Sequence, residues 1–268
     1  MIYVFLSHDV DWGKAGPPAS HILARKDRFD EDILKKCQSE NLYYNFPEYM
    51  DVEEKFSVRS TFFFRTYTKN SVRSPPPYHV EEYKEEIRSL LRGGWEIGLH
   101  LDPSSFEHIG KIKLEKKALE RVAGIAINGN RVHYTMHNDV LYANLQKLSF
   151  KYDSSAKFNR EKIVEEDFGF FKRGKLVVFP ITIMDALTFT YFARDESEVV
   201  TMVKHVVDKC KNLQHEKRIM TILWHDCALR MKKGRLYPEV LRYLTSLKDI
   251  EFRRGIDLFE MVEKGMIQ

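Results

Sequence analysis

Short apolar runs and amphipathic stretches alternate along almost the whole chain, and this alternation limits the fold more than any other feature of the sequence. Residues 2–6, 58–64, 95–99, 125–132, 176–181, 219–224 and 250–252 read as strands, rich in β-branched and aromatic side chains. Between them, apolar residues at helical spacing and helix-start signals predict helices over 21–38, 47–56, 80–91, 114–122, 140–148, around 199–210 and over 240–247. Strand followed by helix, several times over, builds a parallel sheet, either open or closed into a barrel. In both forms the functional groups collect at the carboxyl ends of the strands.

The length, 268 residues, is within the range of one unbroken domain, so 1–268 is read as a single domain. A hydrophobic fraction of 43% supports a sizeable core, and no apolar run approaches the roughly 20 residues that a membrane helix needs. The first run has no basic leader and leads straight into an acidic pair, so it is expected to be a strand of a cytoplasmic protein. Cys37, Cys210 and Cys227 are too few and too scattered for a disulfide framework or a thiolate metal site. With 43 basic against 39 acidic residues and no basic arm or stripe, nucleic acid is not an expected partner.

The strand-end rule acts as a filter on the polar residues. Asp9 and Asp11 end the first strand on one face, because side chains alternate and Val10 points away. Two carboxylates that close repel, so either one shifts its pKa or both find a cation, most simply a metal ion. The second strand ends near Arg65, the third in His100 and Asp102, the fourth in Arg131, His133 and His137, and the sixth in His225 and Asp226. Carboxylates, imidazoles and arginines on one rim are the inventory of a metal hydrolase. His8 has the wrong strand parity to join the acids, and His21, His79, His108 and His215 fall in predicted helices or loops. All five read as structural or surface residues.

The order of these segments resembles the polysaccharide deacetylase superfamily, also called the NodB-homology or carbohydrate esterase family 4 fold, over nearly the whole chain. The resemblance is carried by Ser7-His8-Asp9-Val10-Asp11, Thr61-Phe62-Phe63-Phe64, Gly94-Trp95-Glu96-Ile97-Gly98-Leu99-His100, Arg131-Val132-His133-Tyr134 and Leu223-Trp224-His225. It implies a deformed (β/α) barrel of about seven parallel strands. It also implies that Asp9 is the base, Asp11 and His100 are metal ligands, Arg131 orients the base, and His225 is the general acid. The family's second metal-binding histidine stands four residues beyond the first, and here that position is Ser104. His133, where the family has proline, is the substitute expected to supply the missing nitrogen, ahead of Asp102 and His137. The segments 100–105, 131–137, 152–155 and 180–185 resemble a divergent branch of the superfamily found near surface-polysaccharide genes.

The resemblance thus implies zinc or a similar divalent ion on Asp11, His100 and His133, and a hydrolase that removes the acetyl group of an N-acetylated sugar. Trp12, Tyr134 and Trp224 lie beside these residues and are available either to stack on a sugar ring or to pack in the core. Asp226 either orients His225 or caps the segment that follows it. Two other functions fit the same residues. One is a metal-dependent amidohydrolase acting on a small nitrogenous metabolite, and the other is a non-catalytic carbohydrate-binding protein with a degenerate metal site.

Overall fold

The computed structural model describes residues 1–67, 75–187, 195–214 and 217–267, so His215 lies outside the described residues. Ten strands form one curled sheet among them: β1 (Ile2–Val10), β2 (Thr61–Phe64), β3 (Glu96–Leu101), β4 (Gly129–Val132), β5 (Tyr152–Asp153), β6 (Phe171–Arg173), β7 (Leu176–Val178), β8 (Ile183–Met184), β9 (Ile219–Leu223) and β10 (Ile250–Phe252). Their order is β6-β7-β5-β4-β3-β2-β1-β9-β8, with β10 beside the first half of β1. Every pairing is parallel except β6 with β7. All seven strands expected from the sequence are present. The other three, β5, β6 and β8, have two or three residues each, too short to show a period.

β1 is the hub, because it pairs with β2, β9 and β10. Its parity separates two cores. Val4, Leu6 and Val10 face outward into the main cluster, which is shared with helices such as Phe46–Lys55, Lys84–Arg92 and Ser197–Lys211. Phe5 faces inward, where it meets Tyr152 and Phe179 edge to face, and Phe63 meets Tyr152 in the same way, so that aromatic rings fill the lower barrel. Gly98 of β3 makes room for this plug, since a Cβ there would lie 2.4 Å from the Phe63 ring. The helix Gly255–Glu263 closes the floor with Leu258 and Val262.

The curl closes through residues 176–184, which change partners as they cross. Phe179 N donates to Asp153 O, Ile181 N to Ala156 O and Thr182 N to Thr221 O, each within 2.9 Å. Behind this seam the buried Lys157 ammonium donates to Asp167 at 2.5 Å.

The expected helix over 21–38 is broken into the helix Ala19–Leu23, a 3₁₀ turn Lys26–Arg28 and the helix Glu31–Leu34. Its apolar residues are too sparse for a continuous buried stripe. Instead Ile22 and Phe29 drop separately into a satellite cluster with Leu42, Tyr43 and Met231.

Candidate active site

The register of the central strands delivers the predicted rim. Asp9 pairs opposite Phe63, and His100 of β3 lies opposite Arg131 of β4, which puts residues far apart in sequence on adjacent strand ends. Inward parity then brings Ser7, Asp9 and Asp11 above the aromatic plug.

Three side chains meet at the centre. His100 Nε2 lies 3.1 Å from Asp11 Oδ1 and 3.1 Å from His133 Nδ1, and His133 Nδ1 lies 3.1 Å from Asp11 Oδ1. All three residues are buried. His100 Nδ1 is 3.1 Å from the Arg131 carbonyl, which can only accept, so that nitrogen carries the hydrogen. In the neutral imidazole the Nε2 lone pair therefore faces a carboxylate oxygen and a second imidazole nitrogen. Such a convergence of electron pairs requires a proton or a cation between them. A tetrahedral divalent ion bound at about 2.0–2.1 Å holds its N and O donors roughly 3.3 Å apart, so the triangle has the right size. His133 Nε2 is buried and has no hydrogen-bond partner among the described residues. Burial pushes the Asp11 carboxyl up, but His133, His100 and His225 outweigh it and hold the group well below the ordinary carboxylate range.

Asp9 stands beside the triangle, with Oδ2 3.6 Å from His100 Nε2. Its Oδ1 accepts from Arg131 Nη1 at 2.9 Å. The Arg131 guanidinium is fully buried and fixed on every side: Nη1 also reaches Ser7 Oγ, Nε and Nη2 donate to Ser154 O and Oγ, and the plane lies 4.4 Å over the Phe63 ring. Burial opposes the charge on Asp9, but His100, Arg131 and His225 together lower its pKa and keep it ionised.

His225 approaches from the other side, with Nε2 3.8 Å from Asp11 Oδ2. Its orienting partner is Asp185, at the start of the short helix Asp185–Leu187. Oδ1 lies 2.5 Å from His225 Nδ1, and Oδ2 accepts the His225 backbone N–H at 2.9 Å. Burial disfavours the imidazolium, but Asp185, Asp11 and Asp9 overcome it and push the pKa to about 10.

Sequence reasoning missed Asp185 because it follows β8, a two-residue strand. The signal was nevertheless there, as an acid after the apolar run that begins at Leu176. Ser154, which fixes Arg131, was missed for the same reason after β5. Asp226 does not orient His225; it is buried and accepts the backbone N–H groups of Asp11 and Cys227. Asp102 is committed to Arg65 at 3.0 Å, and His137 stacks on Tyr142, so neither joins the triangle. His8 is buried on the outward face, as its parity required.

The aromatic trio divides. Trp224 is fully buried, with its indole N–H on Gly234 O at 3.2 Å and its ring against Tyr237, so it is a core residue that no ligand reaches here. Trp12 is half-buried and packs edge-on against His21 and Tyr43. Tyr134 alone of the three is exposed, at 39%, with its ring centroid 4.0 Å from that of His133. Its φ of +65° is unusual for a residue with a side chain and turns the ring outward from the strand end. A cleft of about 870 Å³ opens over Asp11, Asp185 and His225, and its walls carry charged residues including Arg28, Glu196 and Lys232.

No protein-family model matches the sequence, and no curated protein matches it. Solved structures do match. A protein from Mycobacterium smegmatis assigned as a polysaccharide deacetylase superposes with a TM-score of 0.67 at 16% identity, covering 99% of this chain and 91% of that one. PuuE allantoinase gives 0.68 at 14% identity, covering 98% and 90%. A polysaccharide deacetylase from Bacillus cereus gives 0.52 at 16% identity, covering 95% and 92%. The chain has the polysaccharide deacetylase fold. Within that fold the metal-site candidates are Asp11, His100 and His133. Among the described residues no helix is long and apolar enough to cross a membrane.

Proposed function

We propose that this protein is a metal-dependent hydrolase that removes the acetyl group from an N-acetylated sugar. The observation that carries the reading is the triangle of Asp11, His100 and His133, with an ionised carboxylate on one side and a paired imidazole on the other. Asp11, His100 and His133 would hold a divalent ion, zinc being the species best suited to one oxygen and two nitrogens at this spacing. Bound there, it would polarise the substrate carbonyl and acidify a water molecule.

The remaining roles belong to the chain's own groups. Asp9, kept ionised and aimed by Arg131, accepts the proton of the attacking water. His225, protonated through its contact with Asp185, donates a proton to the departing nitrogen. Tyr134 is the aromatic surface available to a sugar ring at the mouth.

A second reading has its own support. The allantoinase superposes as well as the Mycobacterium smegmatis protein does, with TM-scores of 0.68 and 0.67, and charged side chains including Arg28, Glu196 and Lys232 line the cleft beside His225, which suits a small polar amide. The decisive experiment is metal analysis of the purified protein, followed by acetate release from N-acetylated chito-oligosaccharides and ring opening of cyclic ureides. Acetate release by the zinc-loaded protein supports the first reading, and ureide hydrolysis alone replaces it with the second. Stoichiometric zinc with neither activity would reject both.

A further inference from the structure

β9 ends at Leu223, and the chain leaves the sheet through a 3₁₀ turn at Asp226–Ala228. The carbonyls of Trp224, His225 and Asp226 thereby lose the ladder, and a buried carbonyl without a donor is costly. Each finds a side chain, and His225 O also accepts the Ala228 N–H at 3.0 Å. His8 Nδ1 lies 2.7 Å from Trp224 O, Tyr49 Oη donates to His225 O at 2.9 Å, and Asn45 Nδ2 donates to Asp226 O at 2.9 Å.

Two of these donors, and the residue that holds the third, come from one helix. Asn45 is the residue before the helix Phe46–Lys55, Tyr49 follows one turn later, and Glu53, one turn further, lies 2.7 Å from His8 Nε2 through Oε1. The spacing of four residues puts all three on one helix face. Glu53 is fixed in turn by Ser60, Trp95 and Tyr237, and all four of His8, Asn45, Tyr49 and Glu53 are fully buried. His8 also lies between Ser7 and Asp9 on β1, so the strand that carries both carboxylates is tied to the backbone that carries His225. On the opposite side, Asp185 holds the His225 N–H and ring. The imidazole is fixed from behind as well as in front.

We propose that Asn45, Tyr49 and the Glu53-held His8 form a clamp that sets the position of His225 over Asp11, making them positioning residues for proton delivery. This rests on reading His225 as the proton donor, and the test separates the two ideas. Tyr49→Phe, which deletes one oxygen, and the double variant Asn45→Ala/Tyr49→Phe are compared with wild type, all zinc-loaded. The readouts are amide hydrogen exchange, zinc affinity, and turnover of two probes: N,N′-diacetylchitobiose, whose amine must be protonated to leave, and 4-nitrophenyl acetate, whose phenolate leaves unaided.

Exchange at residues 224–228 should rise about tenfold or more in the double variant, from loss of two donors to buried carbonyls, while the β1–β3 amides stay protected. kcat for the amide should fall about tenfold to a hundredfold, with KM, zinc affinity and ester turnover within about twofold of wild type. Equal losses on both probes, or a rise in exchange across the whole sheet, would show a merely structural network and overturn the clamp. If wild type cleaves the ester but not the amide, the sugar reading fails, and the exchange data alone decide the clamp: local loosening upholds it, and unchanged exchange at 224–228 rejects it.

Discussion

Replacing Asp185 by asparagine removes the charge that governs His225 while keeping the size of the side chain. In the intact site the imidazole pKa is raised from its ordinary 6.5 to about 10. At about 1.4 kcal/mol per unit, that is a net preference for the imidazolium on the order of 5 kcal/mol, achieved against the cost of burial. Two contacts dominate, Asp185 at 2.5 Å and Asp11 at 3.8 Å. With an effective dielectric near 20, charges at the shorter distance outweigh those at the longer by about three to two. Asp185→Asn therefore removes more than half of the pull and leaves the burial cost in place, so the pKa should fall by at least about 2 units. Long-range proton–nitrogen NMR of the metal-free protein reads this directly: the His225 ring should titrate near or below pH 8 (about two units under wild type) in the variant. If hydrolysis needs protonated His225, the falling alkaline limb of the pH–rate profile moves down with it. A ring that titrates as in wild type, in a folded variant, would refute the assignment of Asp185 as its controlling partner.

Other outcomes follow from the same geometry. Removing one of three mutually adjacent donors should weaken zinc binding by more than the 10–100-fold (about 1–3 kcal/mol) typical of outer-shell changes, so His100→Ala and His133→Ala should each fail to retain zinc through dialysis. Full occupancy by elemental analysis in His133→Ala would give the third position to another group. Asp9→Asn should keep its metal and lose at least about 100-fold in acetate release, since only the base is lost. Glu96 gives a stability test remote from the site. Burial raises its pKa to about 7, against Thr61, Ile256 and Tyr152, which lower it. Its contribution is thus fully favourable below pH 4.5 (its ordinary value) and is lost as the pH rises through 7. Glu96→Gln should abolish that decline, a difference of roughly 3 kcal/mol between pH 5 and 8 by urea unfolding, and an unchanged slope would count against the buried acid.

Much of this arrangement was legible before any coordinates, and the reasons are physical. Strand parity aligns Asp9 with Asp11 whatever the rest of the chain does, and the carboxyl-end rule brings His100, Arg131, His133 and His225 to the same rim. That His133 replaces the nitrogen Ser104 cannot supply was implied by the resemblance and not by the rim alone, and His133 Nδ1 lies 3.1 Å from both Asp11 and His100. What stayed hidden depended on elements without a period. Asp185 and Ser154 follow strands of two residues, whose existence is decided by neighbours and not by their own sequence. The helix expected over 21–38 breaks into short pieces because its apolar residues are too sparse to form a continuous buried stripe. Trp224 misled because adjacency in sequence to His225 means opposite faces in a strand, and the tryptophan points away from the cleft.

The partner-switching run that closes the curl has a mechanical corollary. It begins against Asp153, ends against Thr221, and leads directly into Asp185, so the joint between the two margins of the sheet and the lever on the His225 ring are one piece of backbone. The Lys157–Asp167 pair that props this joint from behind is consequently a remote control on the placement of His225. Loosening it would swing the lever before it unfolded the barrel.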